Sequence, residues 1–213
     1  AFGEQLEKSF YQTTDEFIAS PEIKQFNNEV ILLKGSRHFH FERISELLEK
    51  KVHETILEVN LSAIVHNFNF YRSKLKPETK MVCMVKAFGY GSGSYELAKT
   101  LQEHRCDYLA VAVADEGAAL RKEGITIPII VMNPEFSSFN TMFEYNLEPE
   151  VYSFRLLDAM IKETERRGII AYPIHIKIDT GMHRLGFQPY EVSQLIERLK
   201  TQSGVKVRSV FSH

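Results

Sequence analysis

From residue 55 onward the apolar positions fall into short hydrophobic runs separated by stretches of helical spacing, and this alternation repeats to the end of the chain. Runs at 55–61, 81–86, 108–112, 128–132, 148–152, 174–178 and 207–211 predict strands, the run at 148–152 having the weakest pattern. Runs that stay apolar on both alternating faces are the mark of strands covered on both sides, as in a parallel sheet. Between them, the spacing predicts helices over 63–75, with Ser62 as N-cap, over 95–104 and over 115–123. Strands alternating with helices of this length mean parallel βα units. Seven such units are countable, with no eighth strand. The alternation alone fits both an open doubly wound sheet and a (β/α)8 barrel.

Residues 1–52 do not continue this pattern. Helical spacing occurs at 15–19 and 41–50, and the run 28–35, ending on Gly35, predicts a buried strand. The segment is an αβα piece too short to bury a core by itself. A charged stretch at 49–54, without proline or glycine, is expected to join it to the βα repeats as a hinge.

The candidate chemistry sits where the apolar run 81–86 ends. Lys86 closes that run, and Gly89, Gly91 and Gly93 follow within a few residues. Glycines at this spacing let the backbone turn tightly and approach a ligand without Cβ clashes. A lysine that only extends its stem to solvent is the ordinary alternative. The apolar strand before Lys86 argues for a desolvated pocket rim instead, where the neutral, nucleophilic amine becomes accessible and can condense with an aldehyde. A second cluster follows run 174–178. Lys177 and Asp179 alternate onto one strand face, and Thr180 and Gly181 turn the chain so that Arg184 reaches back. An ordinary ion-pair network is the competing reading of that cluster.

Val85, Lys86 and Ala87, followed by Gly89, Tyr90, Gly91 and Gly93, resemble the lysine motif of the alanine racemases, barrel-type enzymes dependent on pyridoxal 5'-phosphate. The block from His175 to Phe187 resembles the second motif of that family, in the same order along the chain. The resemblance covers about residues 54–213 and implies a (β/α)8 TIM-type barrel, incomplete here at about seven strands, over residues 53–213. It implies that Lys86 anchors the cofactor and is one of two catalytic bases, and that Tyr90 holds the cofactor phosphate. It further implies that Arg184 donates to the cofactor's phenolic oxygen, and that His213 lies against the pyridine ring. Lys177 matches a lysine that is carbamylated in some members, the new carboxylate holding the arginine. His183 stands where the family commonly has glycine, so the local turn is expected to differ. The second base in the family is a tyrosine from the C-terminal β-domain of the other subunit. The implied activity is therefore L- to D-alanine racemisation by a homodimer, with a small amino acid as substrate.

Two other functions stay in view. One is a non-catalytic barrel that binds the cofactor for homeostasis; such proteins lack the block at 179–186. The other is a racemase for another amino acid such as serine. Upstream, Leu32 to Arg37 and Phe41 to Ile44 resemble the tail of the C-terminal domain of UDP-N-acetylmuramoyl-tripeptide:D-alanyl-D-alanine ligase, with His38 where that family usually has glycine. A D-alanine-producing enzyme fused behind a ligase that uses its dimer is metabolically coherent, and implies a bifunctional chain for peptidoglycan synthesis in the cell wall. The sequence reads as an internal piece of such a polypeptide, because a (β/α)8 barrel typically needs about 250 residues. By itself it is expected to be inactive.

Composition narrows the field without choosing within it. The chain has 213 residues, 44% hydrophobic and 25% charged, with a formal net charge of −2. These values describe an ordinary globular protein and point to neither a nucleic-acid nor a membrane partner. No apolar run approaches the roughly 20 residues of a membrane span, and no basic-then-apolar leader pattern opens the sequence, so a cytoplasmic location is expected. Neither Cys83 nor Cys106 has metal-like spacing; both read as reduced core residues. The histidines at 38, 40, 53, 66, 104 and 175 also lack metal spacing and read as surface or satisfied core residues.

Overall fold

Residues 8–27, 29–49 and 57–213 are described by a computed structural model, and the chain divides into two units between residues 56 and 57. In the first unit, the helix Thr14–Ala19 starts where the Thr13 hydroxyl accepts from the Glu16 amide at 3.1 Å. A second helix, Glu42–Leu48, is tied to it by an Arg43–Asp15 ion pair of 2.6 Å. The strand expected over 28–35 is not formed at the described positions 29–35. Val30 and Leu32 are exposed there. An apolar run becomes a strand only when a neighbouring strand takes up its amides and carbonyls, and none lies beside this one among the described residues of the unit.

The second unit is built on six parallel strands: β1 Val82–Met84, β2 Tyr108–Val111, β3 Ile129–Val131, β4 Glu148–Val151, β5 Tyr172–Lys177 and β6 Val205–Phe211. Their spatial order is their order in sequence, each strand pairing only with its sequence neighbours. A doubly wound sheet must reverse its strand order at a switch point. This sheet does not reverse, so it follows the sequential winding of a barrel. That decides between the two architectures the alternation left open.

The helix Leu61–Ser73 precedes β1, and helices Ser94–Glu103, Ala114–Lys122, Phe139–Glu144, Phe154–Arg167 and Val192–Lys200 occupy the five connections. Their apolar faces meet the sheet in one core, in which Leu109, Ile129, Val131, Met142, Leu157 and Ile174 are fully buried. The helix Phe154–Arg167 shows the local logic. The Ser153 hydroxyl accepts from the Leu156 amide at 3.3 Å, Leu156, Leu157, Met160 and Ile161 point inward, and Gly168 stops the helix in the left-handed conformation.

Two sequence expectations at the start of this unit are corrected. Of the run 55–61, residues 55 and 56 lie outside the described residues, 57–60 are irregular, and Leu61 already opens a helix. Leu57 is largely exposed, and no strand lies beyond β1 to receive this run in a ladder among the described residues. The helix cap is Asn60 rather than Ser62: the Asn60 side-chain oxygen accepts from the Ala63 amide at 3.0 Å. Most of the expected hinge, residues 50–54, also lies outside the described residues. Cys83 and Cys106 are free thiols, half-buried and buried respectively.

Candidate functional site

Because the strands are parallel, their C-terminal ends share one edge of the sheet, and the candidate residues lie along it. At the end of β1 the chain enters a left-handed turn. Ala87, Phe88, Gly89 and Tyr90 have φ of 52°, 54°, 62° and 55°. Left-handed backbone costs a non-glycine residue roughly 1–2 kcal/mol, so this turn holds strain at Ala87, Phe88 and Tyr90. The surrounding structure over-determines it. The Gly89 amide donates to the Val85 carbonyl at 3.1 Å, that of Gly91 to Ala87 at 3.2 Å, and that of Gly93 to Phe88 at 3.1 Å. The Ala87 amide donates to Glu116 Oε1 at 2.7 Å, and the other Glu116 oxygen accepts the Ala112 amide, also at 2.7 Å. Backbone strain held this firmly is a feature of ligand sites. Lys86, the residue that enters the turn, is half-buried, and Tyr90 is exposed. Neither makes a side-chain hydrogen bond or ion pair among the described residues.

The second cluster is gathered by the loop after β5. Asp179 is buried and accepts from the Gly181 amide at 2.9 Å, the His183 amide at 3.0 Å and Gln188 Nε2 at 2.8 Å, while His183 Nδ1 lies 3.1 Å away. These donors, the Gly181 amide foremost, hold the Asp179 carboxyl well below the usual aspartate range. The chain then doubles back: the Phe187 amide donates to the Lys177 carbonyl and the Asp179 amide to the Phe187 carbonyl, both at 2.9 Å. At Gly186, φ is +132° and a Cβ would sit 2.5 Å from the Asp179 nitrogen, so this close approach requires glycine. His183 has φ of +55°. The turn therefore keeps a left-handed residue where glycine is commonest in the resembling family, and the imidazole contact with Asp179 accompanies that strain.

This loop brings Arg184 to the end of β6, where its Nη2 lies 3.2 Å from His213 Nδ1. Lys177, Asp179, Arg184 and His213 line one small recess. Below it, inside the barrel, Lys177 Nζ lies 3.1 Å and 3.3 Å from the two oxygens of Glu150 on β4, and 5.4 Å from the centre of the Phe211 ring. His175, one step deeper on the same strand face, is buried between Glu148 at 2.8 Å and Ser209 at 2.7 Å. It is a satisfied core histidine, as its lack of metal spacing suggests.

Lys177, Arg184 and His213 are thus brought together, while Lys86 and Tyr90 stand at the β1 end of the same edge. Sequence reasoning missed Glu116 and Glu150. Glu150 had a signal: Glu148 and Glu150 alternate along β4 as His175 and Lys177 alternate along β5, so each set shares one face. The register, Glu150 opposite His175, lets Glu148 reach His175 and Glu150 reach Lys177 diagonally.

The model of the alanine racemase N-terminal domain matches residues 59–213. The chain belongs to this family. Among curated relatives, it is 37% identical over 160 residues to an alanine racemase of Thermodesulfovibrio yellowstonii, covering 73% of this chain and 43% of that protein. It is 34% identical over 165 residues to alanine racemase 2 of Caldanaerobacter subterraneus, covering 76% and 42%. The solved alanine racemase of Clostridium difficile 630 superposes with a TM-score of 0.69 at 32% identity, covering 75% of this chain and 43% of that one. The chain therefore spans less than half the length of the relatives it matches. The racemase resemblance read from the lysine motif and the block at 175–187 is the family that these comparisons find. Among the described residues, no three or more histidine, cysteine or acidic side chains gather as a metal site, and no helix is long and apolar enough to cross a membrane.

Proposed function

We propose that residues 57–213 form the cofactor-binding part of a pyridoxal 5'-phosphate-dependent amino-acid racemase acting on alanine. The observation that carries this reading is Lys86: a half-buried amine at the C-terminal end of β1, entering a strained turn, on the same sheet edge as Arg184 and His213. The donor set suits the group: a primary amine for its aldehyde, a phenol and a guanidinium for its anionic oxygens, and an imidazole ring for its aromatic face. When bound, the cofactor supplies an aldehyde for condensation with amines and an electron-accepting ring that acidifies the Cα–H of an amino acid.

In this reading Lys86 would anchor the cofactor through its amine and would hold or move the proton at Cα on one face of the substrate. Tyr90 donates its hydroxyl to the phosphate. Arg184 donates to the phenolic oxygen, held at that position by its contact with His213. The proton on the other face needs a second base; by family resemblance it is a tyrosine of a C-terminal domain of the other subunit in a homodimer. The block at 179–186 favours this reading over a non-catalytic cofactor-binding barrel. The ligase tail at 1–52, peptidoglycan synthesis and a cytoplasmic location complete the proposal. The division of the chain near residue 56 supports a separate origin for the first segment.

The test is to titrate the purified chain with pyridoxal 5'-phosphate, reduce with borohydride and map the adduct by peptide mass. Labelling at Lys86, lost in Lys86→Ala, is the expected result. Labelling elsewhere, or none, overturns it.

A further inference from the structure

Among the described residues, Lys177 and Glu150 form the one lysine–carboxylate pair in which both side chains are almost wholly buried, at 6% and 0% exposure. A buried ammonium is expensive unless an anion meets it, and removing one partner of such a pair leaves an uncompensated charge. Glu150 answers that need from the neighbouring strand. Its Oε2 accepts from Lys177 Nζ at 3.3 Å, while its Oε1, in ion-pair contact with the same nitrogen at 3.1 Å, makes no hydrogen bond. Arg184 is a second positive charge acting on Glu150, and the Phe211 ring lies over Nζ at 5.4 Å. Burial pushes the Glu150 carboxyl up, and the hydrogen bond and charge of Lys177 oppose that rise.

We propose that Glu150 is a positioning residue that supplies a built-in carboxylate at this point of the barrel mouth, keeping Lys177 an unmodified ammonium and providing the negative charge beside Arg184. The carbamate found on the matching lysine of some family members has no place here. Carbamylation needs a neutral amine, whose lone pair forms a bond to the carbon of carbon dioxide while the nitrogen releases one proton to water. Both Glu150 oxygens lie against that nitrogen, at 3.1 Å and 3.3 Å, and favour its charged form over the neutral one. A carbamate formed there would also set a second anion against a carboxylate with no exposure to water, which like-charge repulsion opposes. The pairing stands without the cofactor reading; only its consequence for Arg184 rests on that reading.

The test is carbon-13 NMR of the cofactor-free chain in carbon-13-labelled bicarbonate at mildly alkaline pH. The wild type is expected to show no carbamate resonance at Lys177, and Glu150→Gln to gain one that disappears in Glu150→Gln/Lys177→Met. A Lys177-dependent resonance in the wild type overturns the proposal, as does its absence from a folded Glu150→Gln. If Glu150→Gln does not fold, the wild-type spectrum, assigned with Lys177→Met, decides. Because no cofactor is present, failure here is distinguishable from failure of Lys86 to label.

Discussion

Glu116 accepts the amide of Ala87 at 2.7 Å, and so fixes the backbone immediately after Lys86 from a different βα unit. Its second oxygen holds the Ala112 amide just beyond β2. One carboxylate thereby couples the ends of two adjacent strands, and the strained turn at 87–90 depends on a helix residue nearly thirty positions downstream in sequence.

Glu116→Gln keeps one acceptor oxygen and turns the other into a donor that faces an amide. The variant is expected to lose about 1 kcal/mol of stability, the scale of a single hydrogen bond. Exchange of the Ala87 or Ala112 amide with solvent should accelerate locally. Unchanged exchange at both amides would show that Glu116 does not hold the turn.

At position 183 two effects oppose each other. Glycine removes the left-handed strain, about 1 kcal/mol, and also removes the imidazole, whose exposed contact with Asp179 is worth about 0–1 kcal/mol. His183→Gly is expected to match or exceed the wild type in urea midpoint, while His183→Ala, which keeps the strain and loses the contact, falls below both. The opposite ranking would mean the imidazole contact dominates.

Gly186→Ala places a Cβ against backbone atoms of Ile178 and Asp179 at 2.5–2.7 Å, at a φ that side chains rarely adopt. Neither neighbour is a flexible side-chain end that can move aside. A loss of about 2 kcal/mol or more is expected in denaturant unfolding; a loss below about 0.5 kcal/mol would show that the doubled-back chain is loosely held.

Asp179 sets a pH dependence whose sign follows from its depressed pKa. The unfolded chain takes up the proton first as pH falls, so the stability Asp179 contributes is complete above the ordinary aspartate value near 3.9 and is lost below it. Thermal unfolding of Asp179→Asn should start below the wild type at pH 7 and converge on it as pH drops under about 4. Parallel curves would remove Asp179 as the source.

What the sequence made legible follows the reach of each interaction. The positions of β1, β2 and β3 could be read because those runs are apolar on both faces, whereas β4, β5 and β6 carry polar or charged side chains on one face and were read from the apolar positions that remain. Lys86, Tyr90, Arg184 and His213 are singled out by short local motifs, and of these the structure brings Arg184 and His213 into contact. The run at 28–35 was misread because apolarity does not reveal whether a neighbouring strand exists. Glu150 and Glu116 stayed hidden because their partners are distant in sequence: a glutamate in a strand looks like a weak strand, and one in a helix looks like a solvated face. Only the register of β4 against β5, and the packing of the helix Ala114–Lys122 beneath the β1 turn, give those carboxylates their roles.

The left-handed run at 87–90 also governs which substitutions this loop will accept. Valine, isoleucine and threonine, branched next to the backbone, are barred from positions 87, 88 and 90, whereas asparagine and aspartate can enter at low cost. Mirror-image residues are at home in this conformation. In a chemically assembled chain, a D-residue at position 87 would rest where the natural L-residue is strained.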